Sequence, residues 1–222
     1  MELDEVMRTT FAARDHLPDA VDDALLYRIL ERARFAPNGG NRQPARIVVV
    51  RDGETRAALK PMLEPTFRRY MAQARAGEAP FNPVHPTALD DADIDALPIP
   101  DGALDWLVHA PVLLFVFVDL SKLAVMDLGR SPCTVIPGGS IYPLVQNILL
   151  SARHEGLGGV PTTWIGAAQD TLMDLLGVPE PFAFAAMIPL GRPRKQLTKL
   201  KRGPVEDFVT LERFDGAPLV DA

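Results

Sequence analysis

The residues able to do chemistry are few and scattered along the chain. Four histidines, His16, His85, His109 and His154, lie far apart, with no pair at the spacing that lets two imidazoles share a metal ion. No metal centre is expected, and each reads as a surface or packing histidine. The one cysteine, Cys133, follows Pro132 with no basic neighbour in sequence to favour its thiolate, so it reads as a structural thiol. Ser140, in Gly138-Gly139-Ser140-Ile141-Tyr142, lacks the second glycine of a nucleophile elbow and reads as a helix N-cap. Gly156-Leu157-Gly158-Gly159 follows a helical pattern rather than a strand, at the wrong spacing for a dinucleotide fingerprint, and there is no P-loop. What remains is Arg8 and Arg14 near the start, a Gly/Asn turn at 38–41, the Gly-rich turn, and a basic cluster of Arg194, Lys195, Lys199, Lys201 and Arg202. A chain without an acid, base, nucleophile or metal set can still be an enzyme when a bound cofactor carries the chemistry.

The elements that must position these residues follow from periodicity. In the 222 residues, 47% are hydrophobic and 23% charged, which fits a folded globular chain with a sizeable core. The net charge of −6 disfavours general nucleic-acid binding. A single cysteine excludes a disulfide framework and points to a reducing cytoplasm. The acidic start, Met1-Glu2-Leu3-Asp4-Glu5, is unlike an export signal. The longest greasy run, Val112 to Val118, is far short of the roughly 20 residues that a membrane-spanning helix needs.

Apolar residues at helical spacing predict helices over 22–36, 142–154 and 169–176, the last ended by Gly177. Residues 54–76 have helical composition but carry Pro61 and Pro65, which predicts a broken helix. β-Branched and unalternating apolar runs predict strands at 47–50, 112–118 and 182–190, and 156–159 reads as a left-handed helix cap. Residues 77–102 hold Pro80, Pro83, Pro86, Pro98 and Pro100 among aspartates and read as a long surface excursion, either a passive insertion or a lid over a pocket. Residues 205–211 read as a strand, which at the end of a chain leaves an edge that a second subunit could pair. No linker divides the chain, so residues 1–222 are expected to form one α+β domain with helices packed around a small sheet.

Several segments together resemble the nitroreductase family of FMN-dependent oxidoreductases. They are Arg34-Phe35-Ala36-Pro37-Asn38-Gly39-Gly40-Asn41-Arg42-Gln43-Pro44 before a Val-rich strand, Met7-Arg8-Thr9-Thr10 with Arg14, residues 140–150 with the Gly-rich turn, and Leu190-Gly191 with Arg202-Gly203-Pro204. The resemblance covers nearly the whole chain except the excursion. It implies a mainly antiparallel central sheet and a homodimer whose C-terminal tail, 194–222, crosses to the partner, with FMN between the subunits and NADH or NADPH as electron donor. Arg14 would face the flavin N1/O2 edge, and Arg8, Thr9, Thr10, Arg202 and Lys201 would take the phosphate. Pro37, Asn38, Gly39, Asn41 and Gln43 would come from the other subunit. Pro161, Thr162, Thr163 and Trp164 would lie beside the ring with a backbone N–H directed at N5 or O4. The implied activity is hydride transfer through flavin N5 to a small nitroaromatic, quinone or similar acceptor by a ping-pong mechanism. The alternatives are a flavin-sequestering module, or a specialised flavin-destroying or dehalogenating relative. Phe11, Asp15 and His16 stand where relatives often have basic or aromatic residues, so the phosphate set is thinner than usual, while Ala45 in place of an aromatic and Asn38 in place of a common Ser would reshape the pocket without preventing flavin binding.

Overall fold

The computed structural model describes residues 1–127, 129 and 135–221. Cys133 lies outside the described residues. In chain order the elements are α1 (Leu3–Thr9), α2 (Asp23–Ala33), β1 (Ala45–Val50), α3 (Gly53–Arg75), α4 (Asp91–Asp95), α5 (Asp105–Val108), β2 (Val112–Asp119), α6 (Tyr142–His154), β3 (Gly158–Gly159), α7 (Gln169–Leu176) and β4 (Phe182–Gly191), with short 3₁₀ turns between them. The strands form one open sheet in the order β1-β2-β4-β3, antiparallel throughout.

β2 explains why its sequence lacks polar alternation. Successive side chains of a strand point to opposite faces, and both faces are covered. Val112, Leu114, Val116 and Val118 pack with Leu26, Ile29 and Ala33 of α2 and Val145, Ile148 and Ala152 of α6. Leu113, Phe115 and Phe117 pack on the other face with Leu59 and Leu63 of α3, Leu107 of α5 and Leu172 of α7. The two cores thus share one strand, flanked by paired neighbours, and the Val116/Phe117 bulge against β4 adjusts the register between them.

Local signals set the helix ends. Asp22 Oδ1 accepts the Leu25 N–H at 2.6 Å and Asp52 Oδ2 accepts that of Thr55 at 2.7 Å, each satisfying a donor that the first helical turn leaves free. Gly177 closes α7 in the left-handed conformation at φ 63°.

Four expectations need correction. α3 runs unbroken through Pro61 and Pro65: both prolines are on its exposed side, where water can satisfy the carbonyls they free, while buried Leu59 and Leu63 hold the helix to the sheet. Gly158 and Gly159 form β3, and only Gly156, at φ 79°, takes the left-handed cap. Ser140 does not cap α6, which begins after Ile141; its hydroxyl instead accepts the Gly39 N–H at 3.1 Å. Residues 205–211 form a 3₁₀ turn at Val205–Asp207 followed by a small hairpin that pairs Thr210 with Pro218. The segment closes its hydrogen bonds on itself, the Leu211 N–H donating to Ala217 O at 2.8 Å and the Leu219 N–H to Val209 O at 3.1 Å.

Candidate functional site

Arg14 sits on a segment clamped to the sheet at both ends. The Ala13 N–H donates to Gly159 O at 3.2 Å, the Leu17 N–H to Arg192 O at 2.8 Å, and the Arg194 N–H to Asp15 O at 3.0 Å. His16 adds a ring bond to Gly158 O at 3.1 Å; since a carbonyl only accepts, Nε2 carries the hydrogen. Burial lowers the His16 pKa, outweighing the Gly158 bond and the charge of Asp15. β3 is hemmed in on both sides and requires small residues: a Cβ on Gly158 would stand 3.0 Å from the Ala13 Cβ of this segment, and one on Gly159 would stand 2.6 Å from Pro189 O of β4.

Beyond β3 the chain turns back over β4. Thr162 and Met187 exchange two backbone hydrogen bonds of 2.8 Å, which fixes residues 160–164 along the sheet. Arg14, Val160, Pro161, Thr162, Thr163 and Trp164 then meet Tyr70 of α3 and Trp106 of α5 around a cavity of about 450 Å³, within the range of small-molecule sites. Trp164 is the hub of its aromatic wall, with ring centroids 5.5 Å from Phe67, 5.0 Å from Tyr70 and 6.0 Å from Trp106. The Arg14 guanidinium lies 5.3 Å from the centroid of the Trp106 ring. Among the described residues Arg14 makes no ion pair or hydrogen bond, and the Thr163 N–H has no partner. Among the described residues the cavity lining therefore includes an uncompensated cation, backbone N–H groups without a partner and broad aromatic faces, a donor set suited to a flat, anionic, hydrogen-bond-accepting ligand.

The remaining expected residues lie elsewhere. Pro37, Asn38 and Gln43 line a separate groove of about 300 Å³ with Leu30, Ser140 and Leu144, which shares no residue with the Arg14 cavity. The loop between them is tightly wound: Asn41 and Gln43 have φ of 53° and 48°, Asn38 Oδ1 accepts the Gln43 N–H at 2.8 Å, and Gly39 is held by Ser140. Left-handed conformations at non-glycine residues cost energy and concentrate at functional loops. Arg8 is exposed at the end of α1. Thr9 is buried, its hydroxyl donating to Glu5 O at 2.6 Å and accepting from Arg153 Nε at 2.8 Å, and the Thr10 hydroxyl donates to Val6 O at 2.7 Å. Both hydroxyl protons are thus engaged within the chain. Lys201 and Arg202 stand exposed on the tail, where Arg202 Nη1 donates to Lys201 O at 2.8 Å.

No residue of 77–102 lines the Arg14 cavity. The segment is pinned along α3 by the Arg69–Asp91 ion pair at 2.8 Å, by Arg68 Nε to Leu97 O at 3.2 Å and by buried Ile94 of α4. It connects the helix that carries Tyr70 to the one that carries Trp106. Tyr70 and Phe67 escaped the sequence reading; their three-residue spacing, which sets them on one helix face, was the available signal.

The sequence profile of the Nitroreductase family matches residues 7–192. The chain is 32% identical over 200 residues to the NADH dehydrogenase of Thermus thermophilus, an alignment covering 88% of this chain and 89% of that one. It is 29% identical over 195 residues to the 5,6-dimethylbenzimidazole synthase of Rhodospirillum rubrum, covering 87% and 83%. The fold is also that of the NADPH:FMN oxidoreductase of Vibrio harveyi solved with NAD+, at a TM-score of 0.67 and 19% identity over 96% of this chain and 77% of that one. Profile, relatives and antiparallel sheet agree, and the chain belongs to the nitroreductase family.

Proposed function

We propose that the chain is an FMN-dependent NAD(P)H oxidoreductase, and the observation that carries this reading is the unpaired Arg14 beside residues 160–164 in a cavity walled by aromatic rings. The residues fit the group: the aromatic walls suit a flat ring system, Arg14 suits an electron-rich edge, and the free Thr163 N–H suits a ring acceptor. When bound, FMN would supply the hydride chemistry between NADH or NADPH and an acceptor. The protein's part is to orient, to exclude water and to compensate charge. Arg14 supplies positive charge at the edge that becomes more negative on reduction. Trp164, Tyr70 and Trp106 shape the space for a small planar acceptor of the nitroaromatic or quinone class.

The working unit of this reading is a homodimer. The Pro37–Gln43 loop does not reach the Arg14 cavity of its own chain, which suits delivery of the loop by a partner. The tail carries Phe208, 75% exposed, and a fully exposed Phe214, apolar surface that favours burial against a second copy. Arg202, with Lys201 and Arg8, would then supply charge to the phosphate. Thr9 and Thr10 would act there only by exchanging their internal bonds.

The test begins with the purified protein, which should be yellow and release FMN on denaturation. Under anaerobic stopped flow, NADH or NADPH should bleach the bound flavin rapidly. Colourless protein that takes up no FMN would refute the reading. A bound flavin that neither donor bleaches would favour a sequestering module. The likeness to a 5,6-dimethylbenzimidazole synthase supports a second reading, a specialised relative, which product analysis after turnover would separate.

A further inference from the structure

We infer that Trp106 is a positioning residue for Arg14, its indole face holding the guanidinium at the flavin edge without neutralising it. This rests on the FMN reading above. Two carboxylates that line a cleft with Arg14 are each engaged by another cation. Asp15 lies 3.3 Å from Arg194 Nε, and Asp105 lies 3.8 Å from Lys60 Nζ. Asp15 and Asp105 both line, with Arg14, Trp106, His16 and His109, a second cleft of about 330 Å³ that shares Arg14 and Trp106 with the first cavity. Arg14 thus lines both cavities, shares the second with acids that pair elsewhere, and lies over an aromatic face. A carboxylate partner would cancel most of the field of the cation at the cavity, whereas a π-face attracts the cation through its quadrupole and leaves its net charge in place.

Trp106 is itself firmly seated. It is followed in α5 by Leu107 and Val108, both in the core, and its ring meets Trp164 edge-on at 74°. The carbonyls that follow, of Val108, Ala110 and Pro111, all accept from the Arg56 guanidinium. The indole is therefore the fixed member of the pair and Arg14 the one that needs a rest. In its absence a side chain with four rotatable bonds would sample the open cleft, and its charge would reach the cofactor only part of the time.

The experiment compares holoproteins of wild type, Trp106→Leu, Trp106→Phe, Arg14→Ala and the Trp106→Leu/Arg14→Ala double variant. It measures the midpoint potential of bound FMN and the dissociation constant of oxidised FMN. Trp106→Leu should reduce the preference for reduced over oxidised cofactor about tenfold, which for a two-electron couple lowers the midpoint by about 30 mV. Trp106→Phe should recover most of the shift, because a π-face remains. In the Arg14→Ala background the Trp106→Leu change should add nothing. An equal shift in both backgrounds, or an unchanged potential in Trp106→Leu, overturns the inference; should the Leu variant fail to fold, a Trp106→Phe potential shifted as far as that of Arg14→Ala does so. Wild-type protein that takes up no FMN overturns the cofactor reading, a result distinct from a flavin-loaded wild type whose variants show no coupling.

Discussion

Replacing Arg14 by alanine should weaken FMN binding sharply while leaving the fold almost untouched. The side chain makes no ion pair or hydrogen bond among the described residues, so its removal strands no buried partner; only its contact with the Trp106 ring at 5.3 Å is lost. A cation–π contact at an exposed site contributes about 0.5–1 kcal/mol, which for a domain of this length corresponds to a fall in Tm of roughly 1–4 °C. A hydrogen bond from a charged group to the cofactor contributes about 1.5–3 kcal/mol, a factor of roughly 10 to 150 in Kd. Titrating apoprotein into FMN and following flavin fluorescence gives the second quantity, and a thermal melt of the same apoprotein gives the first. Arg14→Lys should fall between, since it keeps the charge and loses the planar fork. A Kd within twofold of wild type for Arg14→Ala would remove the residue from the cofactor site. A Tm fall beyond about 10 °C would show that its role is structural.

Gly159→Ala forces a Cβ to within 2.6 Å of a backbone oxygen, an overpacking that should cost about 1–3 kcal/mol and shift the clamped Arg14 segment; an unchanged Tm together with an unchanged flavin Kd would count against the clamp. The lowered pKa of His16 means that its neutral form is favoured by folding: the contribution is fully present above the unfolded value near 6.5 and is lost as pH falls through the lower folded value. Wild type should therefore lose stability more steeply than His16→Asn below pH about 6.5, and parallel Tm–pH curves would refute this. Truncation before Pro204 should reduce both dimer and FMN binding, read by analytical ultracentrifugation and by the flavin-to-protein ratio; a monomeric, flavin-loaded product would contradict the crossing tail. We propose that residues 77–102 tune acceptor choice through Tyr70 and Trp106, so a Gly/Ser replacement should change the ratio of rates between two acceptors while FMN affinity stays within severalfold; lost FMN with unchanged preference would assign the segment to the cofactor site.

Sequence alone determined the parts of this protein that depend on neighbours a few residues away. The helices Tyr142–His154 and Gln169–Leu176 have the bounds expected from apolar spacing and from Gly177. The unalternating run from Val112 was legible as a strand covered on both faces, because burial on each side removes the need for polar positions. The motifs at 34–44 and around Arg14 were enough to point to the family. Tertiary structure decided the rest, where the controlling contact is long-range. Packing of Leu59 and Leu63 kept α3 whole despite two prolines whose local preference is to break it. Gly158 and Gly159 became a strand because Leu190 and Gly191 lie beside them. Thr9 and Thr10 looked available, yet their hydroxyl protons are engaged by carbonyls of their own helix. The cavity itself joins residues 14, 70, 106 and 160–164, and no periodicity links them. Propensity acts over a turn or two, whereas a site is made where separate elements are forced together by the burial of other residues.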